Sequence, residues 1–361
     1  MDAEYKAIDI DATGAEAVAT AFENQVAYCR SNGADITACV CEGVYGLLET
    51  SRGGMMMERV RRWAGPPLAD ALPLRVAGGL HALHLSGEEP DLRPLYTGKR
   101  VSDVTELLAD VIERHEAVLM PWLDTPPQTN EIGRSANFIA AMLWLAERGL
   151  PATFAPFEIG SSAGANLMLR RFAYDLGGVR VGKRNPVVEL APEWRGSPPP
   201  DREIRLRRSI GCDIAPIDLT DPAEQARLKA YVWPEFTERL MRIDRVIASA
   251  MESPPGLVQA DAADFVEAQL AEPRREGETQ VLMHSVIWQY LPDDKKARIT
   301  AAMEAAGAKA TKDAPLAWIA VEANRDTHKH ECRVRYWPGG EQEVQLTNAH
   351  PHGAWIEWVA P

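Results

Sequence analysis

Residues 154–166, FAPFEIGSSAGAN, bring together the residue types best suited to chemistry in this chain. An apolar run ends in Glu158, and Gly160 and Gly164 bracket a turn of small residues before Leu167, Met168 and Leu169. Small residues let a backbone come close to a ligand. The free amides and positive dipole end of a helix start favour a polar or anionic group. Two chemistries use such a pattern. Glu158, Gly160, Ser162 and Gly164 could cradle a cofactor, or Ser162, at the centre of G-x-S-x-G, could be a nucleophile on a strand-to-helix turn. An αβ turn that needs small residues only for packing fits the same letters.

The elements that must position these residues change character along the chain. Up to about residue 150 the periodicity is helical, with amphipathic stretches at 15–30 and 36–49 and a stop at Gly33. Asp103 followed by Glu106 has capping-box spacing and predicts one long helix running to Pro121. Another helix starts near Asn130 and ends at Gly149 and Pro151. The expectation is an α/β protein with a helical N-terminal domain, 1–150, and a sheet domain, 151–361. In the second part strands are expected at 154–158, 204–210, 257–260, 280–284 and 316–322. Helices alternate with them, one beginning at Asp221-Pro222, one carrying Phe236, Leu240, Ile243 and Ile247, and one ending at Gly307. Alternation of this kind signals a mostly parallel sheet. Residues 179–200 read as a hairpin or loop, and Val334 and Tyr336, Pro338-Gly339-Gly340, then Val344 and Leu346 read as a hairpin at a sheet edge.

Glu158-x-Gly160-x-Ser162-x-Gly164 resembles the first motif of Rossmann-like methyltransferases that use S-adenosylmethionine, and five parallel-type strands with a terminal hairpin are similar to their arrangement. An α/β-hydrolase would place several strands before its nucleophile elbow, whereas here the glycine turn follows the first strand. The resemblance implies a cofactor site across the carboxyl ends of the strands. Asp213 would take the ribose hydroxyls, with Glu189 as a rival, and Asp261 would take the adenine amino group or simply cap the next helix. The fourth strand delivers His284, followed by Trp288 and Tyr290, to the expected transfer site. His284 could be a general base or a buried histidine held by its neighbours. Asn130, Glu131 and Arg134, just before the domain junction, could contact cofactor or substrate, or form a cap and an ion pair. Beyond this superfamily, TNEIGRSA at 129–136, EIGSSAGANL at 158–167, GCDIAPIDL at 211–219, HSVIWQYLP at 284–292, YWPGG at 336–340 and HPHGAWIEW at 350–358 are similar to a bacterial family of domains of unknown function. That likeness implies a methyltransferase-like second half and supplies no reaction.

Composition narrows the classes further. A net charge of −13 and 46% hydrophobic residues describe a globular protein repelled by nucleic acid and by anionic membranes. The first residues, MDAEYK, lack the basic start and apolar core of a signal peptide, and five cysteines without CxxC spacing suit a reducing compartment, so a cytoplasmic protein is expected. His81 and His84, three apart, have no carboxylate cluster nearby, and no metal is expected. The reading is a methyltransferase acting on a small molecule with S-adenosylmethionine as cofactor. The alternatives are a non-catalytic or regulatory protein of the same fold and, third, a serine hydrolase using Ser162.

Overall fold

The computed structural model describes residues 9–360 except 129, 325, 326 and 328, so Thr129 of the TNEIGRSA segment and the opening residues MDAEYK lie outside the described residues. The chain is mixed α/β and divides into two compact units, Met1–Thr129 with Pro222–Met241, and Asn130–Asp221 with Arg242–Pro361. No helix among the described residues is long and apolar enough to cross a membrane.

The helices are α1 Ala15–Ser31, α2 Asp35–Gly46, α3 Gly54–Arg61, α4 Leu72–Ser86, α5 Arg93–Tyr96, α6 Val104–Arg114, α7 Glu116–Leu119, α8 Ser135–Glu147, α9 Pro222–Ala230, α10 Thr237–Glu252, α11 Ala262–Ala271 and α12 Asp293–Gly307. In the first unit, α1 to α7 close around Phe22, Met56, Met57, Leu80 and Leu108, and α9 packs on α4. Asp103 caps α6 by accepting Glu106 N at 3.0 Å. The single long helix expected to Pro121 breaks at His115. There the chain leaves the helical path so that His115 Nε2 meets Glu89 at 2.9 Å and the Glu116 carboxylate accepts Met56 N at the start of α3. His81 donates from Nδ1 to Ala230 O at 3.0 Å, and burial pushes its imidazole down to about 4, so it is a neutral core residue.

Helix α2 has Ala34 at its N-cap, a side chain unable to accept a hydrogen bond. Glu235 takes over that task across the fold, accepting Thr37 N at 2.8 Å and the Thr37 hydroxyl at 2.9 Å. Glu235→Ala leaves both donors unpaired and is expected to cost about 1–3 kcal/mol, with Glu235→Gln losing less. Urea unfolding midpoints of the two variants check this, and equal midpoints for wild type and Ala would overturn it.

The second unit is built on strands β1 Thr153–Ile159, β2 Ala173–Leu176, β3 Val179–Gly182, β4 Glu189–Leu190, β5 Glu193–Arg195, β6 Arg205–Leu206, β7 Ile210–Asp213, β8 Gly256–Gln259, β9 Thr279–Ser285, β10 Leu316–Asn324, β11 Lys329–Trp337, β12 Gly340–Ala349 and β13 Trp355–Trp358. The large sheet runs β5-β13-β12-β11-β10-β9-β1-β7-β8, with β6 also on β1, and β2, β3 and β4 form a small separate sheet. The run β8-β7-β1-β9-β10 is parallel. The strand expected at 204–210 is interrupted. Its two pieces, β6 and β7, pair with opposite ends of β1, and between them Arg207 turns out to Glu278. The hairpin of β11 and β12 forms as read, but not at an edge, because β13 and β5 extend the sheet beyond it. Strand β10 pairs antiparallel with β11 directly, Asn324 opposite Lys329, so the antiparallel strands form a meander and none inserts into the parallel set.

This meander shapes the candidate site. Helix α8 lies on one face of β10, β11 and β12, where Asn137 receives the Thr347 hydroxyl at 2.7 Å. Helices α11 and α12 pack on the opposite face through Phe265, Ile299 and Met303 against Phe157, Leu282 and Trp318. Since the chain turns straight from β10 into β11, no crossover helix covers that second face there, and Glu331, Arg333, Arg335 and Glu343 project from it beside a cavity.

Candidate functional site

The glycine turn after β1 is held from three directions. Gly160 and Gly164 have φ of +65° and +70°, and Ser162 adopts the left-handed region at +52°, which a residue with a side chain occupies only when its surroundings over-determine it. Those surroundings are explicit. Asp213 Oδ2 accepts Ser162 N at 2.8 Å, and Ser162 O accepts Ile217 N at 3.1 Å. Asn130 spans the turn, donating from Nδ2 to Ser161 O at 3.0 Å and accepting Ala165 N at 2.9 Å. The helix expected after the turn is a 3₁₀ segment, Ala165–Arg171, that breaks at Met168. With its first amide already given to Asn130 and its length so short, it supplies no useful dipole, which corrects the anion-cradle expectation.

Glu158, at the end of β1, is 1% exposed. Burial, helped by the nearby Asp213 charge, pushes its carboxyl up to about 8 against the hydrogen bonds of Ser161 and Asn166, so it is mostly protonated at neutral pH. Its Oε1 lies 3.4 Å from Asn166 Nδ2, while Glu158 Oε2 and Asn166 Oδ1 are buried without a hydrogen-bond partner among the described residues. Gly160 is covered: a methyl group built on it would lie 2.5 Å from Ile287 Cγ1. Ile287 follows Val286, a β-branched residue at φ +55°.

Asp213 accepts Ala215 N through its other oxygen at 2.9 Å. Asp261 is the N-cap of α11, accepting Ala263 N and Asp264 N through Oδ1, and pairs through Oδ2 with Lys295 at 3.2 Å. Both carboxylates stand where the sequence put them, at the ends of β7 and β8, and both carry structural bonds. Glu189, the rival of Asp213, lies in β4 of the small sheet. Glu131 accepts Gly133 N at 3.0 Å, and Arg134 donates from Nε to Pro351 O at 2.8 Å. The TNEIGRSA and HPHGAWIEW segments thus meet, with Gly133 against Gly353. His330 lies near Arg134, and burial reinforced by that cation holds its imidazole down at about 4.

His284, next to last in β9, is 1% exposed and is fixed at both nitrogens. Trp318 Nε1 donates to its Nε2 at 2.9 Å, so the ring proton sits on Nδ1 and goes to Glu322 Oε1 at 2.7 Å. With its lone pair already used, this imidazole is a positioning group and not the free general base considered from sequence. Trp288 stacks on it with ring centroids 5.2 Å apart, and Trp318 stands edge-on to Trp288 at 5.4 Å. Tyr290 is 66% exposed and does not line the adjoining cavity, which corrects its expected place beside His284. That cavity, about 500 Å³, is walled by His284, Trp288, Trp318, Glu322, Glu331 and Arg333, among others.

Trp318, Ile287, Asn166 and Glu322 are not among the site residues that the sequence singles out. One signal was available: Trp318, Ala320, Glu322 and Asn324 share the period of two that puts them on one face of β10. No group of three or more metal-ligating side chains occurs among the described residues. No curated protein and no solved structure matches the chain. A family model described as an uncharacterized protein conserved in bacteria, DUF2332, matches residues 19–358. That match takes in both compact units and every segment that forms the site, and the chain belongs to the DUF2332 family.

Proposed function

We propose that the second unit binds S-adenosylmethionine across the carboxyl ends of β1, β7 and β8, and that the protein transfers its methyl group to a small molecule held beside β9 and β10. The observation that carries this reading is the parallel order β8-β7-β1-β9-β10. In it the chain switches direction between β1 and β9, which opens a crevice at the carboxyl ends, as in Rossmann-like methyltransferases. Glu158 with Gly160, Asp213 and Asp261 stand at or just beyond three neighbouring strand ends.

The residues present fit an adenosine there. Each Asp213 oxygen accepts one amide and keeps acceptor capacity for a ribose hydroxyl, and Asp261 Oδ2 can exchange Lys295 for an adenine amino group. Beside the turn, the lone Glu158 Oε2 is an atom that an ammonium group would satisfy. Ile287 has to swing off Gly160 to admit the amino-acid portion. Bound there, the cofactor supplies a sulfonium methyl group open to direct displacement. The chain's own work is then alignment and exclusion of water, with His284 fixing Trp288 as one wall.

Calorimetric titration with S-adenosylmethionine and S-adenosylhomocysteine tests the reading. Micromolar binding by wild type is expected, abolished in Gly160→Arg and weakened about tenfold in Asp261→Asn, which keeps a capping side chain. A folded wild type that binds neither ligand removes the proposal. The Ile287 contact with Gly160 favours a second reading, a non-catalytic protein that keeps the fold. Binding without a labelled product from any acceptor selects it, and covalent capture of Ser162 by a fluorophosphonate would instead select the serine hydrolase.

A further inference from the structure

The cavity beside His284 has a charge arrangement that the proposed cofactor site does not use. Three carboxylates, Glu322, Glu331 and Glu343, and two guanidiniums, Arg333 and Arg335, line it. Both guanidiniums are already engaged. Arg333 binds Glu331 and Glu343, and Arg335 binds Glu304 and the Glu341 carbonyl while lying 4.9 Å over the Trp337 ring. Glu331, 3% exposed, is filled by Asn324, the Thr327 hydroxyl and Arg333. Glu322 differs. Its Oε1 takes both His284 Nδ1–H and Ile287 N–H, and among the described residues its Oε2 makes no hydrogen bond. Among the described residues that line the cavity, Glu322 is therefore the carboxylate without a guanidinium partner, and it stands next to two indoles in edge-to-face contact.

An indole face and an unpaired carboxylate attract the same kind of group. A cation over a tryptophan is drawn by the ring quadrupole, and a partly enclosed carboxylate gains most from a charge it can pair with. An anionic ligand would need a free arginine, and both arginines are spent on glutamates. The opening, about 500 Å³, has the size of a small-metabolite site, and the overall charge of −13 draws cations toward the surface.

We propose that this cavity binds an organic cation with an aromatic or methylated head, its charge against Glu322 Oε2 and its apolar surface on Trp288 and Trp318. The binding rests on the geometry of this cavity and does not depend on the methyl-transfer reading.

The test uses the full chain without any cofactor, titrated calorimetrically with benzyltrimethylammonium, benzyl alcohol and phenylacetate. The cation is expected to bind at least tenfold more tightly than the neutral and anionic probes. Glu322→Gln, which keeps an acceptor for His284 and Ile287, is expected to weaken the cation at least tenfold, and Trp288→Ala to do the same. Absence of cation binding by wild type, equal binding of the three probes, or a folded Glu322→Gln variant within twofold of wild type would overturn the proposal. The comparison of probes on wild type decides even where a variant fails to fold. Since no S-adenosylmethionine is present, failure of the cofactor reading leaves this result standing, and failure here leaves the cofactor titration untouched.

Discussion

Glu158→Gln is expected to make the protein more stable at pH 8 and to flatten the dependence of its stability on pH. The carboxyl is raised from 4.5 to about 8, mainly by burial. Between those values the folded chain keeps a proton that the unfolded chain has released. Unfolding therefore releases a proton, and stability falls as pH rises through this window. The contribution of the protonated carboxyl is fully present below pH 4.5 and is lost above about pH 8. An interval of this width corresponds to on the order of 5 kcal/mol. A glutamine carries no charge to desolvate, so the variant should match wild type near pH 4 and exceed it increasingly toward pH 8. Urea unfolding at pH 5, 6.5 and 8 reads this directly, and parallel stability profiles for the two proteins would sink it. The functional corollary runs the other way. If Glu158 Oε2 receives the ammonium of the cofactor, the more stable variant is the weaker binder, a trade-off common where a site keeps an unsatisfied group.

How much of this was legible in the sequence depends on what each feature requires. The parallel strands were visible because short apolar runs alternate with capped amphipathic helices, and β1, β8, β9 and β10 fall within a residue or two of their expected places. Asp261 as a helix cap and Asp103 as the cap of α6 were legible for the same reason, since capping is a local contract between neighbours. The break at His115 was not, because its partners Glu89 and Met56 come from distant stretches. Trans-capping of α2 by Glu235 escaped notice for the same reason. At the site, the ends of β7 and β8 could be located from sequence together with Asp213 and Asp261, but the hydrogen bonding of His284 depends on Trp318 and Glu322, 34 and 38 residues away, which only the pairing of β9 with β10 brings alongside. The 3₁₀ segment after the turn was misread because Asn166 to Leu169 read as an ordinary helix start, while Asn130 satisfies the turn from another part of the chain.

The contact between the two most distant site segments predicts the second large effect. Gly353 has φ of +71°, and a methyl group built on it would lie 2.6 Å from the Gly133 Cα and carbonyl carbon, which are backbone atoms with no rotamer to yield. Gly133 in turn faces His352 O, 2.9 Å from the corresponding position. Gly353→Ala therefore meets two penalties, about 1–2 kcal/mol for a side chain in the left-handed region and about 1–3 kcal/mol for forced separation of packed backbone. Gly149 is the internal control: its φ is +88°, yet nothing lies within 4 Å of a built methyl, so Gly149→Ala meets the conformational penalty alone. Gly353→Ala is expected to lose about 3 kcal/mol and Gly149→Ala about 1 kcal/mol, measured by urea unfolding of both variants in parallel. Equal losses would mean that the approach of residue 353 to residue 133 is not tightly held. The difference also bears on function, because separating these segments pulls Pro351 O from Arg134, one residue of the run that carries Asn130, and Asn130 clamps both ends of the glycine turn. A methyl group at position 353 should therefore weaken any ligand that depends on the shape of that turn, and should spare a cation bound between Trp288 and Glu322.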